Sequence, residues 1–315
     1  MRKVSISEML ELAGSTVDPP GRFLLQEELS RAKPSLNVLQ ELLRSNPERA
    51  STGNEQGSLP LHVCAANIHS IETAVLTLIL ESHPGAIFSK NVFGLLPLHK
   101  AVMAPILSTA PPRLDRIEQL IELHPAALES GTKEQQLPLH LSLRAARPCE
   151  SLVELLLDKY PLAVRHEDDR GQLPLHKLAA KAACEETISL FSTVLDAYPG
   201  AAVARDSLGR SPLHWVVTMR DKPNLDILGE LLEAAPRAVM IEDNEGFKPL
   251  SRLMNRGQER CGASCLLLAQ AEEGEVRKAR EEQAKLDAKR VTSHKLGQLH
   301  KKKHFNFGAK PSLDL

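Results

Sequence analysis

Aromatic residues and net charge are both scarce in this chain of 315 residues. Phe, Tyr and Trp make up 3% of the sequence, and 39 Lys and Arg nearly balance 40 Asp and Glu, for a formal net charge of -1. Aromatic rings are the usual stacking platforms for nucleic-acid bases, and a positive field is what draws nucleic acid or an anionic membrane. The composition therefore argues against both kinds of partner for the molecule as a whole.

The chain also lacks the long apolar runs of secreted and membrane proteins. Nowhere do about 18 apolar residues follow one another, so we expect no membrane insertion. Glu8 and Glu11 interrupt the hydrophobic stretch near the start, which argues against a signal peptide there. The five cysteines are odd in number and widely spaced, so we interpret them as reduced thiols. We expect a cytoplasmic protein and leave a nuclear location open.

A short phrase recurs six times along the chain. It reads GSLPLH, GLLPLH, QQLPLH, GQLPLH, GRSPLH and GFKPLS, and its prolines are 37, 41, 36, 38 and 37 residues apart. A second proline series precedes the first by 13 residues in every case, at Pro47, Pro84, Pro125, Pro161, Pro199 and Pro236. Self-similarity at a fixed period is the signature of a repeat protein.

Each unit is predicted to combine a turn with two helices. A turn-forming residue stands three positions before the glycine position, at Asn54, Asn91, Thr132, Asp168, Asp206 and Asp243. The Pro-Leu-His phrase opens a first helix, because proline is favoured at the first helical position. Segments 114–125, 152–161 and 225–236 have apolar residues at helical spacing and end in proline, which predicts a second helix. One such pair cannot bury its apolar face alone, so the units must stack.

The units resemble ankyrin repeats, which carry the phrase T-P-L-H-x-A at a period of about 33 residues. The resemblance covers roughly residues 19–270 and implies an all-α, ankyrin-type helical-repeat solenoid with β-turn or hairpin-like connectors. The longer period here predicts extended helices. The threonine is replaced by Leu59, Leu96, Leu137, Leu173 and Lys248, and only Ser211 keeps a hydroxyl. We expect the leucines to fill the core between units.

We divide the chain into four regions. Residues 1–20 are an N-terminal extension, and residues 21–270 are the array, in which a degenerate half-unit precedes units that begin near residues 57, 94, 135, 171, 209 and 246. Residues 271–290 carry Glu and Lys or Arg at helical spacing, which predicts a charged helix. Residues 291–315 lack a sustained apolar period, so we expect a basic, flexible tail.

The motifs that could carry chemistry give no catalytic site. Stacked units would space equivalent side chains about 10 Å apart, too far for neighbouring histidines to bind one metal ion. We therefore interpret the histidines of the phrase as buried residues that tie adjacent turns together; they are His62, His99, His140, His176 and His214. The chain has no Gly-rich phosphate loop, nucleophile elbow or HExxH motif. We predict no enzyme activity, no metal and no cofactor.

The resemblance to ankyrin repeats implies recognition of another protein by the concave surface of turns and first helices. It places variable contacts immediately before and after each turn glycine. The candidate contact residues are Phe93, Leu95, Glu134, Gln136, Arg170, Gln172, Leu208, Arg210 and Phe247, and the equivalent positions of the outer units are Gln56, Ser58 and Glu245. We interpret the chain as a scaffold or adaptor for an unidentified partner protein, monomeric by itself. The competing interpretation is that these positions are solvated loop tips.

The C-terminal tail carries a second candidate site. Lys301, Lys302 and Lys303 form a dense cationic block between two histidines. Such a block serves nuclear import, nucleic-acid contact or docking on an acidic protein, or it is a solvated tail without a partner. An acidic protein is favoured over nucleic acid, because the array is neutral and poor in aromatic residues. The alternative function is thus a regulatory or targeting subunit whose tail contacts nucleic acid or an acidic surface.

Overall fold

The computed structural model of this protein describes residues 23–31, 33–107, 113–144, 148–181, 185–218, 223–255 and 262–305. For residues 105–107, 185–186 and 287–305 it describes the backbone alone. The N-terminal extension, residues 1–20, and the end of the tail, residues 306–315, lie outside the described residues. The described segments contain helices and turns but no strand, which confirms the all-α class. None of their helices is both long and apolar enough to cross a membrane.

Two helices and a short 3-10 helix recur in each unit. The first helices span Pro60–Ala66, Pro97–Leu107, Pro138–Ser142, Pro174–Ala179, Pro212–Thr218 and Pro249–Met254. The second helices span Thr73–Ser82, Leu114–Leu123, Glu150–Lys159, Glu185–Ala197 and Leu225–Ala234, and Leu36–Ser45 is their counterpart in the half-unit, after a short helix at Leu24–Leu29. Proline is the first residue of every first helix, as the sequence predicts.

The second proline series starts an element that the sequence analysis missed. It opens 3-10 helices at Pro47–Ser51, Pro84–Phe88, Pro125–Leu128, Pro161–Arg165, Pro199–Val203 and Pro236–Met240. The first helices have only 5 to 11 residues, so the expectation of extended helices is wrong. The 13-residue connector between the two proline series begins with this 3-10 turn, because proline cannot continue the second helix but is tolerated at the start of the next one.

Stacking of like elements builds one continuous core. First helices pack on first helices and second helices on second helices along the array, and the buried apolar residues form one cluster from Leu25 to Leu268. Leu96, Leu137 and Leu173 are buried in it, which confirms that leucine in place of threonine fills the core. Each inner unit therefore packs against the unit before it and the unit after it, as in other helical-repeat solenoids.

A long C-terminal helix covers the end of the array. It spans Gly262–Phe305, and Leu268 is buried against the last unit, where Lys248 pairs with Glu272 at 2.7 Å. The predicted boundary between a charged helix at 271–290 and a tail from residue 291 is therefore corrected, since the backbone stays helical through residue 305. Closely spaced Lys and Glu residues without proline are compatible with one uninterrupted helix. The flexibility of residues 291–315 stays a prediction.

Candidate functional site

The turns between units are fixed by a side chain that binds their backbone. Asn91 Oδ1 accepts hydrogen bonds from the N–H groups of Phe93 and Leu95, both at 3.0 Å, and the N–H of Asn91 donates to the carbonyl of Leu95. The same two side-chain bonds are made by Asn54, Thr132, Asp168, Asp206 and Asp243. This geometry confirms the turn-forming role that the sequence assigns to these positions.

Consecutive turns are joined to one another through their backbones. The N–H of Val92 donates to the carbonyl of Gln56 at 3.0 Å. Equivalent bonds of 2.9 to 3.1 Å join Lys133 to Phe93, Asp169 to Glu134, Ser207 to Arg170 and Asn244 to Leu208. The residue before each glycine position therefore supports the next turn with its carbonyl, whatever its side chain. Such a scaffold holds variable side chains on rigid loops.

The positions before and after each glycine differ in exposure. Before it, Phe93 and Leu208 are each 50% exposed, and Glu134 and Arg170 are exposed as well. After it, the chain turns inward to begin the next first helix. Leu95, Gln136 and Gln172 are therefore buried, while Arg210 and Phe247 are half-buried.

This burial corrects the candidate contact set. Gln136 Nε2 donates to Asp168 and Gln172 Nε2 donates to Asp206, each at 3.4 Å, so both amides belong to a row of polar contacts between units. The side chains of Leu95, Gln136 and Gln172 are inaccessible to a partner in this structure. Phe93, Glu134, Arg170 and Leu208 remain as accessible turn-tip residues, together with Gln56 and Glu245 of the outer units.

Three buried aspartates link the turns to the first helices, a feature that the sequence analysis did not find. Asp168 accepts from Lys177 at 2.6 Å, Asp206 from Trp215 Nε1 at 2.9 Å and Asp243 from Arg252 at 2.6 Å. The signal was present in the sequence: each aspartate precedes a hydrogen-bond donor by nine residues. The three units whose turns have Asn or Thr instead carry Val63, Lys100 and Leu141 at the donor position.

These contacts keep Asp168 and Asp243 ionised. Burial opposes the charge of Asp168 and Asp243, but the hydrogen bonds from Lys177 and Arg252, together with turn N–H groups, outweigh it and lower the pKa of both carboxyl groups. The ionised carboxylates of Asp168 and Asp243 therefore hold the first-helix cations Lys177 and Arg252 in place.

An aromatic and cationic cluster occupies the last two units. The guanidinium of Arg210 lies 5.8 Å from the ring centre of Trp215, and that of Arg252 lies 4.6 Å from the ring centre of Phe247. Arg252 also pairs with Glu245 at 3.0 Å. Part of the cluster's surface is accessible, since Arg210, Trp215 and Phe247 are only half-buried. Arginine and aromatic side chains contribute most of the binding energy in many protein interfaces.

Comparison with solved structures identifies the architecture. The human ASB11 ankyrin repeat domain matches with a TM-score of 0.59, at 16% sequence identity, over 78% of this chain and 96% of that one. This chain has the ankyrin-repeat fold. Sequence identity at this level shows the fold alone. No protein-family model and no curated protein matches the sequence.

In this ankyrin-repeat array the histidines connect successive units. His140 Nδ1 accepts from the N–H of Leu137 at 3.3 Å, and Nε2 donates to the carbonyl of Gln172 at 3.2 Å. His62, His99, His176 and His214 bind in the same way. Since a backbone N–H occupies Nδ1, the proton is on Nε2 and the imidazole is neutral. This network confirms the predicted tying role.

Burial keeps these imidazoles uncharged. It lowers the pKa of His99 and of His140 to about 4, and lowers the pKa of His62, His176 and His214 as well. Within the described part of the chain, no three His, Cys, Asp or Glu side chains are grouped to hold a metal ion.

A groove lies between the 3-10 helices of the last units and the C-terminal helix. It has a volume of about 840 Å³ and runs between Val203, Pro236 and Met240 of the 3-10 helices and Glu275 and Glu282 of the C-terminal helix. None of its described lining residues is His, Cys or Ser, so these residues form no Ser–His or Cys–His pair. The tail residues Lys301, Lys302 and Lys303 lie in the last turns of the C-terminal helix, and their binding role stays a prediction.

Proposed function

We propose that this chain is a protein-binding scaffold or adaptor. Its contact surface would be the turn-tip residues together with the exposed side of the first helices. Ankyrin-repeat folds are generally protein–protein interaction modules. A binding role agrees with the polar side chains of the turns, which are spread along the array, one set per unit. A catalytic site instead needs several groups that converge on one point.

The observation that carries the proposal is the combination of fixed turns and exposed apolar tips. Phe93 and Leu208 are half exposed although their backbones are held by the turn and by the bonds between turns. Val92, beside Phe93, is 47% exposed and adds to the same tip. Large apolar side chains on a rigid backbone lose little entropy on binding, so they are effective anchors for a partner.

Replacing the anchors should abolish partner capture without unfolding the array. We expect the F93A/L208A variant to lose the proteins that the wild-type chain captures from a cell lysate. Both side chains lie outside the core, so the melting temperature should change by no more than about 2 °C. Quantitative mass spectrometry of the captured proteins and thermal unfolding provide the two measurements.

The matched control is Leu162, which is 58% exposed on the 3-10 helix Pro161–Arg165 and is not one of the turn-tip residues. L162A removes a similar apolar area, so it should leave the captured proteins unchanged. Identical captured sets from the wild type, F93A/L208A and L162A would contradict the proposed contact surface.

A further inference from the structure

The second helices end with a charge that opposes their dipole. A helix C-terminus carries a partial negative charge, so a cation is favoured in the last turn and an acid is unfavourable there. Yet five of the six second helices have an exposed acid three residues before the proline of the next 3-10 helix. We call these five residues the acidic row: Glu81, Glu122, Asp158, Asp196 and Glu233. Because they share one position of the repeat, stacking places them one per unit, about 10 Å apart.

The acidic row stabilises no described contact of the fold. None of its five residues forms a hydrogen bond or an ion pair with another described residue. Lys159 pairs with Glu118 at 2.6 Å, and its pKa is raised by that carboxylate first and to a lesser extent by Asp158 and Glu122 of the row. The field of the row therefore favours a positive charge on a group that lies beside it.

An apolar groove borders the row between units 1 and 2, which begin near residues 57 and 94. It has a volume of about 390 Å³, and its lining includes Leu80, Glu81, Phe88 and Leu123. Phe88 is 61% exposed and Leu123 is 49% exposed, and the ring of Phe88 lies edge-on to that of His124 with 4.6 Å between the centres. None of the described lining residues is Lys or Arg. The groove therefore combines an exposed apolar surface with acids at its border, since Glu122 directly precedes Leu123.

A helix lies against the equivalent position at the other end of the array. Phe88, Val203 and Met240 each stand four residues after the proline that opens their 3-10 helix. Val203 and Met240 line the groove of about 840 Å³ together with residues of the C-terminal helix. Arg237 faces Glu275 of that helix at 3.9 Å, so a cation of the array meets an acid of the helix. At Phe88 no described helix covers the position, and the bordering charge has the opposite sign.

We propose that the groove between units 1 and 2 is a second docking site, which binds a basic amphipathic helix of a partner protein. A large apolar side chain of that helix would fill the groove against Phe88 and Leu123, and its Lys or Arg residues would pair with Glu81 and Glu122. A helix rises by about 1.5 Å per residue, so cations seven residues apart match the spacing of about 10 Å along the row. Nucleic acid and anionic membranes are repelled by the same acids.

This inference goes beyond the proposed function, because no residue of the groove is a turn-tip residue. A groove of this size holds only a few side chains, so the contact is weak by itself and adds to the capture of a partner by the turn tips. F93A/L208A should therefore bind an isolated basic helix as tightly as wild type does. The two binding surfaces can thus succeed or fail independently.

A peptide titration tests the assignment. The probe is a fluorescein-labelled peptide of about three heptads with Leu on one helical face and Lys on the other. It is titrated with the full chain at low and at physiological salt and followed by fluorescence anisotropy. We expect saturable binding that weakens as salt is added. F88A and E81Q/E122Q should each bind about tenfold more weakly at low salt. The melting temperature of E81Q/E122Q should equal or exceed that of wild type, because its lost charges oppose the helix dipoles.

Each test variant has a matched control. L162A removes an exposed apolar side chain from another 3-10 helix. D158N/D196N removes two acids of the same row, but at the position of Phe88 the 3-10 helix between them carries Arg165. Both controls should bind within about twofold of wild type. Equal losses in test and control variants, or no saturable binding to wild type, would overturn the assignment.

Two further measurements distinguish other occupants of the groove. A peptide with prolines in place of two central Lys residues cannot form a continuous helix, so undiminished binding of that peptide would show that the groove does not select a helix. Light scattering after size exclusion reports self-association. An oligomer that F88A converts to a monomer would assign the groove to a second copy of this chain and would overturn the assignment to a partner. A wild-type monomer that binds the helical peptide alone supports the proposal.

Discussion

At the scale of single residues, the turns depend on one backbone conformation. Among the described residues, five turn glycines have positive φ, and in unit 3 Gln135 takes the same position with φ of 56°. That conformation is costly for residues with a Cβ atom. At Gly94 a side chain is excluded for a second reason. An added Cβ atom would lie 2.8 Å from the N of Lys133, the atom that donates the hydrogen bond between turns to the carbonyl of Phe93.

Comparing Gly94 with Gly246 separates the free-energy cost of a positive φ from the cost of the close contact with the next turn. A Cβ at Gly246 would meet nothing within 4 Å, although its φ is 81°. We expect Gly246→Ala to lower the free energy of unfolding by about 1 kcal/mol through backbone strain alone. Gly94→Ala should cost about 2 kcal/mol more, because it also disrupts the bond between turns. Urea unfolding of both variants measures the difference, and equal losses would show that the close contact is unimportant.

At the scale of elements, the histidines couple each first helix to the following turn, and this coupling depends on a neutral ring. The folded chain holds His99 and His140 at a pKa of about 4, whereas an unfolded histidine titrates near about 6.5. As the pH falls below about 6.5, the unfolded chain therefore binds protons that the folded chain excludes. The contribution to stability is complete above that pH and is lost progressively down to about 4.

We predict that the free energy of unfolding falls between pH 6.5 and pH 5, by up to about 1.4 kcal/mol per pH unit for each such histidine. Urea unfolding over this range measures the slope. The His140→Gln variant keeps an amide donor and acceptor but cannot titrate. Its free energy of unfolding should therefore be lower at pH 6.5, and should fall with decreasing pH less steeply than that of wild type, by about the contribution of one histidine. A variant curve parallel to that of wild type would contradict the role of His140.

At the scale of the whole molecule, the array is a sum of similar interfaces. Removing residues 135–170 joins Glu134 to Gly171 and regenerates a turn of the usual form, with Thr132 three residues before a glycine. The carbonyl of Glu134 would then be free to accept from Ser207 in place of Asp169. We expect a folded array that is shorter by about 10 Å, the spacing of one unit. Circular dichroism and small-angle X-ray scattering provide the measurements.

This deletion also removes Asp168, the partner of Lys177. Adding Thr132→Asp to the deletion restores an acid beneath the turn and should recover stability by about 1 kcal/mol. Loss of all helical signal in both deletion variants would contradict the stacking of independent units.

The separation of charge is likewise a property of the whole molecule. A net charge of -1 suggests no electrostatic preference. Yet the described first helices carry the cations Lys100, Lys177 and Arg252, whereas the charged residues of the described second helices are mostly acids, and the two sets of helices form different layers. The sequence contains these charges in alternating segments of each unit, and the stacking of like helices on like helices brings equal signs together. The same stacking that builds the core therefore also creates the field.

The sequence by itself determined the repeat, the turn positions, the start of every first helix and the role of the histidines. Each of these depends on local chemistry or on a fixed period: proline at a first helical position, an Asx or Thr side chain in a turn, and one phrase repeated in every unit. The leucines that replace threonine could be assigned to the core for the same reason.

Tertiary structure alone decided which residues reach the surface and what they meet. Phe93 and Leu95 flank the same glycine, but one is exposed and the other buried, because the chain turns inward to begin the next helix. The sequence places a hydrogen-bond donor nine positions after Asp168, Asp206 and Asp243, but only the tertiary structure shows that each donor contacts its aspartate. The two charged layers exist because equivalent positions of separate units become neighbours, and a contact between units depends on how they stack, which no single segment of the sequence encodes.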